Sequence, residues 1–224
     1  MLHLVAVAGA YALVRRRLGP IPAVLVAIPL LLLGSGAENL FWAFQTGFVA
    51  SVLFGVWALF FLERPGRYAP VAASVLLVAG LAASGLGPFF LVVAAGRTLL
   101  DPPLRRFVLA VVPPLAVYVV WFLALGQGTV DEGRRLFIEA GVVGFVVRGI
   151  AFSTQQTLGL GFLADGEIVG LLVFLTLCVV TGVRVVRGRR QGLAAGCLLG
   201  IAAMYTAVGL ARLNDDPGYD HAAA

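Results

Sequence analysis

An all-α fold, a polytopic integral membrane protein of about eight transmembrane helices, is what this sequence predicts on three observations. Hydrophobic residues make up 61% and charged residues 12% of the 224-residue chain, with a mean hydropathy of +1.01. A soluble domain carries roughly 25% charged residues, and half of that leaves too little polar surface to coat a water-soluble globule. The apolar residues also fall into runs separated by short charged segments, and all sixteen basic residues, every one an arginine, gather in those segments or in loops. Arginine clusters between apolar runs are what orients a membrane protein. The net charge of +5 therefore marks topology and no nucleic-acid partner, which would need one contiguous basic stripe.

The chain reads in order as a single transmembrane domain over 1–224. Leu2–Val14 is a short apolar run that ends at Arg15, Arg16 and Arg17. Residues 20–33 return across the membrane, with Pro20 and Pro22 suited to a first helical turn and Pro29 predicting a kink. A polar shelf from Gly34 then precedes a span over 41–62, which ends at the tight turn Glu63–Arg67. Within Ala69–Leu100, the run Ser84–Gly–Leu–Gly–Pro88 opposes helix continuation, so two short helices near 69–84 and 88–100 are preferred over one long one. That hairpin keeps Arg64, Arg67, Arg97, Arg105 and Arg106 on one side.

A clear span at 107–125 follows, and then an outer loop over 126–167. In that loop Leu136–Leu163 carries Glu139, Arg148 and Ser153–Thr157, which makes it a set of surface or re-entrant helices, with a spanning pair as the alternative. Spans near 168–183 and 192–211 flank Arg184, Arg187, Arg189 and Arg190, and an acidic tail closes the chain. Counted on this topology, twelve arginines lie inside and four outside, which places the Arg-rich loops in the cytoplasm and the protein in the plasma membrane.

The candidate substrate-binding residues are Glu38, Asn39, Gln45 and Arg148. If the helix starts near Ala37, Glu38, Trp42 and Gln45 share one face at i, i+4 and i+7. They suit either a substrate at the bilayer rim or plain capping in headgroup water. Arg148 suits either a bidentate grip on a phosphate or snorkelling to the interface. Asp131, Glu132, Asp165 and Glu167 read as solvated loop charges, and Asp215, Asp216, Asp220 and His221 match no metal-ligand spacing. Cys178 and Cys197 lie in apolar runs and read as small buried hydrophobes. No catalytic residue, cofactor or metal site is assigned. P-loop, HExxH, GxSxG and dinucleotide fingerprints are all missing. No charge sits mid-span, as proton-coupled transport would require.

The order LHLVAVAGAYALVRRRLG, a Pro-containing span, ENLFWAFQTGF, AASGLGPFFL and an Arg-rich turn resembles large actinobacterial membrane proteins. Those proteins are similar to C-type (GT-C fold) glycosyltransferases that use polyprenyl-phosphate sugars. The resemblance implies an enzyme acting at the outer face on a polyprenyl-phosphate sugar. It also implies that this chain is an internal fragment, since members carry their catalytic Asp or Glu in a first outer loop that has no counterpart here. The other class left open is a non-enzymatic scaffold or subunit that packs against partner helices through small-residue faces, with 28 glycines available for close approach. A neutral-solute permease comes third. Membrane lipids are partners in every case.

Overall fold

The computed structural model describes residues 2–31, 46–100, 104–125, 140–161, 165–188 and 191–215. Every regular element among them is an α-helix, which bears out the all-α class. Among the described residues two helices are long and apolar enough to cross a membrane, Gly166–Val186 and the segment Gly192–Gly209, while five shorter apolar helices fall below that length. The count of eight spans therefore exceeds what helix length alone supports. The chain divides into two compact units, Met1–Tyr118 and Val119–Ala224.

The first unit begins with α1 (Leu2–Leu18), which runs through the arginine cluster and does not stop before it. Cations in the last turn face the negative end of the helix dipole, so Arg15–Arg17 extend the helix at little cost. Gly19, at φ +93, closes it by giving its N–H to the Arg15 carbonyl at 3.1 Å, a left-handed cap that favours glycine. Pro20 then opens α2 (Pro20–Leu31), where the proline N–H that is missing would have had no partner anyway.

Helix α3 (Thr46–Leu62) is the centre of this unit. Against α1 it donates the Trp57 indole N–H to the Val5 carbonyl at 3.1 Å, and Gly9 lets the ring approach. Against α4 (Ala69–Ala83) the buried Ser51 hydroxyl donates to the Gly80 carbonyl at 3.0 Å, and Gly47 lies against the Ala83 carbonyl, so α3 and α4 run antiparallel. Against α5 (Gly87–Leu100) Gly55 receives the Phe90 ring. Leu53, Ala58, Leu59, Leu62, Ala73, Leu77, Leu91, Val93 and Ala94 fill the space between.

The break between α4 and α5 falls at Ser84–Leu86, as the Gly/Pro pattern predicts. The expected single span at 107–125 instead divides at Val111 into α6 (Leu104–Ala110) and α7 (Val112–Leu125). Val111 still bonds back to the Phe107 carbonyl and Leu115 to Val111, so the backbone ladder persists on either side. Pro113 and Pro114 have no N–H to offer the preceding turn, and the regular helix is lost there.

The second unit contains α8 (Ala140–Thr157), α9 (Gly166–Val186) and α10 (Gly192–Asp215). Helix α8 holds one end of each partner. Ala151 and Gln155 lie against Gly170 and Gly166 in the first turns of α9, while Phe145 and Gly149 lie against Gly209 and Tyr205 of α10. The other ends of α9 and α10 are joined through residues 187–191, so these two helices form a hairpin whose open end rests on α8. At 21 residues, α9 reaches about 31 Å, the thickness of a bilayer core. Its exposed Ile168, Val169, Leu172, Leu177, Val179 and Val180 spread over about half of its circumference, which suits lipid and not water.

Candidate functional site

Three helices of the first unit run in the same direction and end together. Trp57 and Val5 pair α3 with α1, Phe90 and Gly55 pair α5 with α3, and from those contacts all three chains run toward Glu63. Glu63 follows the last residue of α3, Arg17 lies in the last turn of α1, and Arg97 lies in the last turn of α5. An Arg17 Nη2 donates to the Glu63 carboxylate at 2.6 Å, and Arg97 Nε donates to Glu63 Oε1 at 2.5 Å. Arg106 of α6 adds a hydrogen bond of 3.3 Å to the Leu62 carbonyl, one of the acceptors a helix end leaves unpaired. One carboxylate thus ties the ends of α1, α3 and α5, and a fourth element is bonded beside it.

The node is largely out of solvent: the side chains of Glu63, Arg97 and Arg17 are 7%, 10% and 28% exposed. Burial pushes the Glu63 carboxyl up, but the hydrogen bonds and positive charges of Arg17 and Arg97 outweigh that and hold it below its ordinary value of 4.5. Glu63 is therefore a fixed anion at neutral pH. With both oxygens engaged it is poorly placed to take a proton from a substrate, and the arrangement is a clasp.

The remaining arginines at this end are different. Arg64, Arg67, Arg15 and Arg16 are exposed. Arg64 stacks 4.9 Å from the Phe60 ring centroid and Arg67 4.8 Å from that of Tyr68. Between them, the turn after α3 forms a hollow of about 230 Å³ lined by Phe61, Arg64, Gly66, Arg67, Tyr68 and Ala72.

In the second unit, Arg148 is exposed on α8, one turn before the residues that meet α9. The polar run that follows it is partly satisfied within α8 itself. Thr154 and Thr157 return their hydroxyls to the Ile150 and Ser153 carbonyls at 2.8 and 2.7 Å, and Ser153 bonds the Tyr205 hydroxyl of α10. Gln155 is buried; its Nε2 donates to the Leu160 carbonyl at 3.4 Å, and its Oε1 has no partner among the described residues. Asp165 and Glu167 flank the start of α9, exposed, where a helix dipole favours negative charge.

Of the four candidate binding residues, Arg148 alone can be placed. Glu38, Asn39 and Gln45, like Asp101, Asp131 and Glu132, lie outside the described residues. Asp215 ends α10, and Asp216, Asp220 and His221 lie beyond it, again outside. No group of three or more potential metal ligands occurs among the described residues. Cys178 and Cys197 are free thiols on α9 and α10.

The Glu63 node was not among the residues the sequence singled out. Its only signal is a lone acid within an arginine-rich turn, and its partners lie 46 and 34 positions away. Comparison with protein-family models, curated proteins and solved structures finds no match, so the likeness to polyprenyl-phosphate-sugar transferases stands on sequence pattern alone.

Proposed function

We propose that this chain is a multi-pass plasma-membrane module whose Arg-rich helix ends face the cytoplasm, and that its primary role is to hold a set of membrane helices in fixed register for partner helices or lipid. The observation that supports this most is the convergence of Arg17, Glu63 and Arg97 at one end of α1, α3 and α5. Parallel helices whose charged ends coincide give the unit one polar end, and the sides of α1, α2 and α4 leave Leu4, Ile21, Leu25 and Val75 exposed as lipid would require. The shorter helices cross by local thinning of the bilayer, as short spans do.

The orientation is tested by labelling in intact cells with a membrane-impermeant maleimide, after Cys178 and Cys197 are replaced by alanine. Single cysteines at Pro65 and Arg187 are expected to react only once the membrane is permeabilised, and one at Leu158 from outside. Reaction at Pro65 from outside overturns the proposal.

A second reading, that a longer protein containing this chain transfers sugar from a polyprenyl-phosphate donor, is favoured by Arg148. It stands exposed near the open end of the α9–α10 hairpin, away from Arg184 and Arg187, at the level where an outer-leaflet lipid phosphate would lie. In that reading a guanidinium steadies the departing phosphate while a carboxylate elsewhere takes the acceptor's proton. Arg148→Ala in the full-length protein is expected to lower retention of the lipid donor, and unchanged retention removes Arg148 from the site.

A further inference from the structure

We propose that the hollow between Arg64 and Arg67 is a binding site for the phosphate of an anionic membrane lipid. The inference rests on the orientation proposed above, because it needs this turn to lie at the membrane surface. Four observations lead to it. First, the two guanidinia line the hollow and, among the described residues, pair with no carboxylate: Glu63, the acid beside them in sequence, turns away to bond Arg17 and Arg97. An anion arriving here is thus met by two cations, with Glu63 already engaged elsewhere. Second, both guanidinia are held in place by ring stacking, at 4.9 Å on Phe60 and 4.8 Å on Tyr68, so less side-chain freedom is lost on binding.

Third, the hollow has two chemistries. Arg64, Gly66 and Arg67 form a polar rim, and Phe61, Ala69 and Ala72 continue it along α3 and α4 as an apolar wall. A phosphate with an acyl chain attached matches both, whereas a free phosphate matches only the rim. At about 230 Å³ the space is smaller than the cavities that enclose whole drug-sized ligands, and it suits a headgroup whose tails remain in the bilayer. Fourth, Tyr68 is 68% exposed at the mouth, in the position of an interfacial aromatic anchor. Basic pockets of this kind between membrane helices hold anionic headgroups.

The test is a lipid titration of the purified full chain in neutral detergent, read by native mass spectrometry, with phosphatidylglycerol against phosphatidylcholine. Wild type is expected to retain phosphatidylglycerol preferentially. Each arginine in direct contact with the headgroup phosphate supplies a charge-assisted hydrogen bond worth at least about fivefold, so the R64Q/R67Q double variant should weaken retention by roughly 25-fold. The R15Q/R16Q variant, which removes the same charge from the same end but outside the hollow, should stay within about twofold of wild type, because salt screens exposed charges that make no contact. Equal loss in the two variants, or none in R64Q/R67Q, overturns the proposal. Displacement of the lipid by millimolar inorganic phosphate also overturns it, since the hollow would then be a free-anion site. If maleimide labelling places Pro65 inside but phosphatidylglycerol shows no preference, this inference fails alone and the orientation stands.

Discussion

The two units of this chain solve the problem of an apolar helix in opposite ways. In Met1–Tyr118 the helices are short, 12 to 17 residues from α1 to α5, and three of them, α1, α3 and α5, are tied at one end by a buried carboxylate between two arginines. In Val119–Ala224 the helices run to 18, 21 and 24 residues, carry their charge at or beyond their ends or on an exposed face, and meet through glycines and one hydroxyl pair. Helix α9 is long and apolar enough to cross a bilayer core unaided. Short helices need packing, and the node supplies a fixed register that apolar contacts would leave free to slide. Buried ion pairs are weak evidence of net stability, because desolvation offsets their attraction, yet removing one partner strands the others. The contrast therefore predicts an uneven response to mutation.

The largest effect is expected at Glu63. Glu63→Ala removes the carboxylate that Arg17 and Arg97 share at a largely buried site and should destabilise the protein by about 3 kcal/mol, measured by denaturant unfolding in neutral detergent. Its pH dependence has a definite sign. Because the folded carboxyl titrates below its ordinary 4.5, the stabilisation is fully present above that value and is lost as pH falls through the lower folded one. Wild type and Glu63→Gln should therefore differ at pH 7 and converge only below 4.5. If they converge near neutrality, the carboxylate is not held by the arginines.

Packing comes next. A Cβ at Gly55 would enter the Phe90 ring, whereas one at Gly182 of α9 meets nothing within 4 Å. Gly55→Ala should cost about 2 kcal/mol by overpacking, and Gly182→Ala should be neutral or stabilising by up to about 1 kcal/mol through helix propensity. Equal effects would erase the distinction between a packed helix and a lipid-facing one. The smallest effect is expected at the hydroxyl pair. Tyr205→Phe removes the bond to Ser153 and keeps the ring over Gly149, which should cost about 1 kcal/mol in thermal unfolding of the same preparation.

These expectations also separate what the residues announce from what only the fold discloses. The break at Ser84–Leu86 is legible because Gly85, Gly87 and Pro88 act on their own backbone, and the α9–α10 hairpin is legible because its apolar runs are long. The division at Val111 was within reach too, since Pro113 and Pro114 are visible in the sequence, but the apolar run on both sides outweighs them when hydropathy alone is read. The extension of α1 through Arg15–Arg17 was hidden by treating charge as a boundary, although a helix end welcomes cations. The Glu63 node could not be read at all, because its partners are brought to it by three separate helices. The reading of 136–163 as surface or re-entrant helices rests on Glu139, Arg148 and the polar run at 153–157; of that run, Ser153, Thr154 and Thr157 bond Tyr205 or α8's own carbonyls, pairings that residue type alone does not disclose.

The central claim is that Glu63 couples the ends of helices far apart in sequence, and the most direct measurement is a double-mutant cycle of Glu63→Gln and Arg97→Gln on the full chain. The account predicts a coupling of at least about 1.5 kcal/mol in unfolding free energy, as for residues sharing one buried ion pair. Additivity of the two changes within about 0.5 kcal/mol would contradict it and reduce the node to charges that are merely near each other.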